Sequence, residues 1–299
     1  MRLWIIDKGT IGGLYAGGPA GVTVHNPYVA AGIATTTQPA QVFGDGGAGP
    51  TVGTYLVSYS GLTDFVNEYV QIVRVDNPLG TPTFTQQFVL VGNIDNVFAA
   101  LPDAPQLGTT ELISTNNRPA LSAVWRDNRL WMTAEVLPSS GPDAGQTTAH
   151  WWKLDTTMPS TIAVADQGNI GGEDIAPGTF TYFPAVTVNR DGFAAFGFSA
   201  SAPTIFAGAY ATGRAAGDAP GTVRPSEVVH PGRDIYIRRL SANPAFENRW
   251  GDYSGIAVDP TNNDFFWVFN EFADVQGTPF VPGDGLGRWR MTWARYRSN

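Results

Sequence analysis

Apolar and polar residues alternate one by one in short runs along most of the chain, and the runs stop at Gly, Pro, Asn or Asp. A period of two predicts strands bounded by turns, and no stretch sustains the 3.6-residue period of a helix. Four segments repeat one scheme of a polar or aromatic lead residue, an alternation, a turn and a second alternation. They are TQPAQVFGDGGAGPTVGTYLVSYS (37–60), NRPALSAVWRDNRLWMTAEV (117–136), YFPAVTVNRDGFAAFGFSAS (182–201) and GDYSGIAVDPTNNDFFWVFNEF (251–272). RDN at 126–128, RDG at 190–192 and PTNND at 260–264 have the chemistry of hairpin turns, so each segment predicts an inner hairpin.

A more irregular pair follows each of the first three: NEYVQIVRVDN with TFTQQFVLVG, TAHWWKLDT with STIAVADQG, and TIFAGAYATG with VRPSEVVHPG. The fourth is followed by one clear strand, GRWRMTWARYR, and the opening RLWIIDKG with AGVTVHNPY forms an outer pair lacking its inner hairpin. Four strands per repeat, at spacings of roughly 65 to 80 residues, predict an all-β fold, a β-propeller with four-stranded antiparallel blades and about five blades in this chain. Residues 1–299 read as one propeller domain. Its incomplete first and last blades leave three arrangements open: the C-terminal part of a six- or seven-bladed ring, a closed five-bladed ring, or a protomer completed by another copy.

Composition narrows the partners. A net charge of −8 argues against nucleic acid, which demands clustered Lys and Arg, and against anionic membrane surfaces. No apolar run approaches the ~18 residues of a membrane span, which argues against membrane insertion. MRLWIIDKG places Asp7 where a signal peptide would be apolar, so it reads as a strand. The absence of cysteine removes disulfides and thiolate sites, and with few lysines and abundant Thr, Gly and Asn it fits a secreted or cell-surface protein.

NRWGDYSGIAVDP, FFWVFNEF and the closing WRMTWARYR, preceded in order by RPALSAVWRDNRLWMTAEV, HWWKLDTT and YFPAVTVNRDGFAAFGFSASAPTIFAGAYATGR, carry a resemblance over most of residues 110–299. The chain resembles a group of secreted bacterial proteins in the sialidase-like β-propeller class. The resemblance implies the fold, export and further blades ahead of this region, and it brings no established reaction. Sialidases would add an arginine triad and repeated S-x-D-x-G-x-T-W turns. The turns are absent, and Arg118 is the one arginine that falls at an equivalent strand start.

Aligning LSAV (121–124), AVTV (185–188) and GIAV (255–258) puts Arg118, Tyr182 and Asp252 at equivalent places before the innermost strand, with Gln38 as the fourth. In a propeller these ring one mouth of the channel, and Arg249 and Tyr253 join them as ligand-binding candidates. The plainer alternative is that Asp252 bonds Arg249 while Trp250 packs between blades. Glu135 and Glu271 follow second inner strands, and either with Asp252 would supply the acid and base of glycoside hydrolysis.

His25, His150 and His230 are too scattered for a zinc or copper site. Calcium has two candidate loops, the turn Asp259 to Asp264 with Asn262 and Asn263, and Glu173 with Asp174. There is no G-x-S-x-G, and GDGGAGP at 44–50 reads as a hairpin loop, lacking the helix and Lys of a phosphate cradle. Of the adjacent Trp151 and Trp152, one is expected in the core and the other on a face where a sugar could stack. The sequence therefore favours a non-catalytic module that binds a glycan or protein ligand, with self-association through exposed strand edges. The alternative is a glycoside hydrolase working at the channel mouth.

Overall fold

The computed structural model of the protein describes residues 2–9, 13–28, 36–44, 52–238, 247–278 and 286–298. The chain is all-β with almost no helix, and its strands form several antiparallel sheets of four to five strands flanked by smaller ones. β1 (Leu3–Asp7) and β2 (Gly21–His25) make a two-stranded sheet. The second sheet contains β3 (Gln38–Pro39), and the chain then leaves it for β4 (Gln41–Val42) before returning as β5 (Val52–Thr63), β6 (Glu68–Asp76) and β7 (Thr83–Gly92). β8 (Ser122–Arg126), β9 (Arg129–Val136), β10 (Thr148–Asp155) and β11 (Ala163–Ile170) build the third. β12 (Phe180–Val188), β13 (Ala194–Ala202), β14 (Ile205–Arg214) and β15 (Glu227–His230) build the fourth. β16 (Gly255–Val258), β17 (Phe265–Asp274) and β18 (Arg288–Arg297) build the last.

The local chemistry explains the hairpins. Between β8 and β9, Asp127 and Asn128 take φ of 49° and 58°, the paired left-handed geometry whose twist matches the flanking strands. Between β12 and β13, the Asn189 side chain accepts the backbone N–H groups of Asp191 and Phe193 and closes the turn. The Asp259 carboxylate accepts the N–H groups of Thr261 and Asn262, the Thr261 hydroxyl and the indole of Trp267, and these bonds hold it down to about 2. Its oxygens therefore organise a turn.

One hairpin differs from expectation. The first arm of the 37–60 segment divides between two sheets: Gln38 and Pro39 pair with β5, whereas Gln41 and Val42 run parallel to β8 of the next sheet. Proline has no N–H to continue a ladder, and the Thr54 hydroxyl takes the Ala40 carbonyl as the chain crosses over. Residues 45–51 of this predicted hairpin loop lie outside the described residues.

Each sheet buries its faces against its neighbours in chain order. Leu3 and Ile5 pack on Leu56 and Val73, Tyr55 and Ile72 on Trp125 and Met132, Trp131 and Trp151 on Phe196, and Phe193 and Ala211 on Phe266 and Tyr296. Successive side chains point to opposite faces, so a sheet covered on both sides reads as apolar at every position. Trp151 and Trp152 show it: their rings enter different cores and both are fully buried. Neither is free to stack on a sugar, which corrects the expectation for the exposed member of that pair.

Among the described residues nothing covers the outer faces of the first and last sheets. Trp4 and Ile6 on β1 sit opposite Val24 and Val22 on β2 and stay exposed. On the last sheet, Met291 (62% exposed) and Trp293 (64%) lie beside the exposed Phe269.

Candidate functional site

Four of the five sheets send residues to one cavity of about 530 Å³. Thr36 and Ser60 come from the second sheet and its approach, Asn116 to Pro119 and Leu121 from the segment entering β8, Phe183 from β12, and Asp252 and Tyr253 from the segment entering β16. Strand starts supply most of the lining, with Arg118 ahead of β8 and Asp252 ahead of β16.

The Arg118 guanidinium is fixed. Its Nε donates to Asp95 Oδ2 at 2.7 Å, and one terminal nitrogen donates to the carbonyls of Asn96 and Ala99. Asp95, whose side chain is wholly buried, also accepts the Tyr59 hydroxyl at 2.7 Å and the Leu137 N–H at 2.8 Å. A buried carboxylate this well satisfied keeps the arginine rigid and limits how much of its charge a ligand would meet.

Asp252 is partly exposed. Its Oδ1 accepts from Arg249 at 2.5 Å and from Asn116 Nδ2 at 3.3 Å, and Asn116 itself holds a left-handed backbone at φ 67°. Between these two, Trp250 is buried edge-on to Tyr236 and donates its indole N–H to Ser199 Oγ at 3.2 Å. The segment NRWGDYS thus both packs and presents: Trp250 anchors it, while Arg249, Asp252 and the exposed ring of Tyr253 face outward.

Tyr182 and Gln38 do not line the cavity. Tyr182 is buried with its hydroxyl on Ser201 Oγ, and burial pushes its phenol far up. A bulge between Tyr182 and Ala185 turns the next residue, Phe183, into the equivalent place, with an unusual φ of 52°. Gln38 sits half-buried on β3 opposite Val57, and Thr36 takes the position at the cavity.

The two glutamates lie behind the lining. Glu135 is fully buried; Phe183 N–H donates to its Oε1 at 2.6 Å and its Oε2 has no partner. Burial pushes this carboxyl well above the usual range, against the pull of that N–H and of Arg118. Glu271 is raised to about 7, by burial first and then by the charge of Asp252. Its Oε1 lies against the Gly251 backbone, where a Cβ would come within 1.9 Å of it. Two carboxyls shifted toward the protonated form therefore sit under a surface whose only lining carboxylate, among the described residues, is Asp252.

Asn116, Phe183 and Asp95 were not singled out from the sequence. The positive φ of an Asn before a strand is a weak signal, and a bulge or a buried ion pair leaves none. No protein-family profile matches the chain, and no curated protein matches it.

Proposed function

We propose that the chain is a β-propeller of the sialidase-like class, acting outside the cell as a non-catalytic module that binds a glycan or protein ligand. One observation carries this reading: a single open cavity draws on four successive sheets and presents Asn116, Asn117, Asp252 and Tyr253, amides, a carboxylate and an exposed aromatic ring suited to hydroxyl-rich ligands. The sequential stacking of four-stranded sheets supports the propeller. Binding to a glycan array and to immobilised candidate proteins tests it. Saturable binding that Tyr253→Ala weakens by tenfold or more supports the assignment, and a stable, folded chain that binds no member of either set removes it.

A hydrolase reading has one observation in its favour, the carboxyl of Glu271 held near neutrality beside Asp252. Turnover of any glycan that Asp252→Asn abolishes without lowering the melting temperature would establish it.

A further inference from the structure

A second cavity, of about 740 Å³, opens at the β11 edge of the third sheet, between β10, β11, the loops around Asp143 and Glu173, and the connection from β14 to β15. Its polar groups form a chain. Asn169 Nδ2 donates to Asp143 Oδ2 at 2.8 Å, and the Asn169 carbonyl oxygen lies 2.7 Å from His150 Nδ1. A carboxylate oxygen must accept, so the amide orientation is fixed, and with it the tautomer: His150 carries its proton on Nδ1. Its Nε2 is left as a bare lone pair on a side chain that is 3% exposed. Gln167 is similar, donating Nε2 to the Val91 carbonyl and leaving Oε1 without a partner.

The second feature is a carboxyl pair. Asp143, buried, and Glu173, at the rim, each bring one carboxyl oxygen to the same point, close enough for a proton on Glu173 to face the Asp143 carboxylate. Glu173 Oε2 and Asp143 Oδ1 converge over the Cα of Gly171, where a Cβ would meet them at 2.3 and 2.7 Å. A bare glycine face thus lets two acids meet at the cavity.

The side-chain donors of the lining are engaged elsewhere. The Thr222 hydroxyl donates to the Ala219 carbonyl, the Ser226 hydroxyl to Asp174, and Arg224 to Asp218. What surrounds the cavity is acceptors: the Asp143 and Glu173 oxygens that converge at it, and behind them the enclosed, unpartnered lone pairs of His150 and Gln167. From this surplus we propose that the cavity binds an organic cation rich in N–H donors, a protonated amine seated where the Asp143 and Glu173 carboxyl oxygens converge. An ammonium group has three donors and no acceptor, which complements such a lining. A divalent metal fits less well, since among the described residues no three His, Asp or Glu side chains converge.

The charges that face Glu173 are Asp143 and Asp174, with Arg224 across the cavity already paired to Asp218 and His150 at its floor. The hydrogen bond to Asp143, with burial, raises Glu173 to about 7, whereas burial lowers His150 to about 4 and keeps it neutral throughout. Below pH 7 an incoming amine must expel the Glu173 proton. Above it, Glu173 is already ionised.

Calorimetric titration with 1,4-diaminobutane, on the full chain, tests this. Expected is saturable binding about tenfold tighter at pH 8 than at pH 6, with close to one proton released per ligand at the lower pH. Glu173→Gln, a rim substitution, should weaken binding and abolish its pH dependence. No saturable heat with the diamine overturns the proposal, as do Ca²⁺ or neutral glucose binding in its stead, pH-independent binding, or an unchanged response in Glu173→Gln.

Discussion

The backbone N–H of Phe183 donates to Glu135 Oε1 at 2.6 Å, joining the end of β9 to the bulge of β12. The bond holds a phenylalanine at φ 52°, a conformation that costs an L-residue on the order of 1 kcal/mol. The acid behind the cavity is therefore a brace for the residue that lines it. Glu135→Gln keeps an acceptor of the same size and no charge, and is expected to alter stability by less than about 1 kcal/mol. Glu135→Ala leaves the N–H unpaired and a void, and should cost about 2 to 4 kcal/mol in urea denaturation.

Glu271 gives the fold a pH dependence of definite sign. Its carboxyl is raised from 4.5 to about 7, so the fold favours the protonated form. The contribution is full below pH 4.5, falls as the unfolded chain ionises first, and is gone above about 7. Relative to Glu271→Gln, the protein should lose up to about 3 kcal/mol between those limits. Paired denaturation curves of the two proteins across pH 4 to 8 read this directly.

Asp95 joins Tyr59, Arg118 and Leu137, which come from two sheets and the segment between them. Asp95→Ala strands a nearly buried guanidinium and two other donors, and a loss of about 3 to 5 kcal/mol is expected in thermal or urea unfolding. A double-mutant cycle of Tyr59→Phe with Arg118→Ala should show coupling, because both act through one carboxylate.

The outer faces should register an apolar dye. Met291→Lys with Trp293→Lys is expected to reduce anilinonaphthalene sulfonate fluorescence and any concentration-dependent rise in mass, with little change in melting temperature. Unchanged fluorescence would place the dye elsewhere.

Turn chemistry made the strand pairs legible before any coordinates. Asp127–Asn128 and the turn at Asn189 close hairpins where the sequence placed them, and the outer pairs follow in the expected order. Alternation identifies strands because it is local. The Asp143–Asn169–His150 chain is invisible for the opposite reason: its members are scattered in sequence and meet only when β10 and β11 pair. His150 looks isolated as a letter and gains its chemistry from a cross-strand amide. Trp151 and Trp152 misled for a related reason, since a period of two tells which face a ring takes and not what covers that face.

The crossover at Ala40 binds two layers with one backbone. Ala40 donates its N–H to Tyr55 in the second sheet, and three residues later Phe43 donates to Trp125 in the third. A force that peels these layers apart must break ladder bonds on both sides of the same short peptide. The seam is stitched in addition to being greased, and amide exchange at Ala40 and Phe43 should follow the opening of both sheets together, so that this pair of layers melts as one cooperative block.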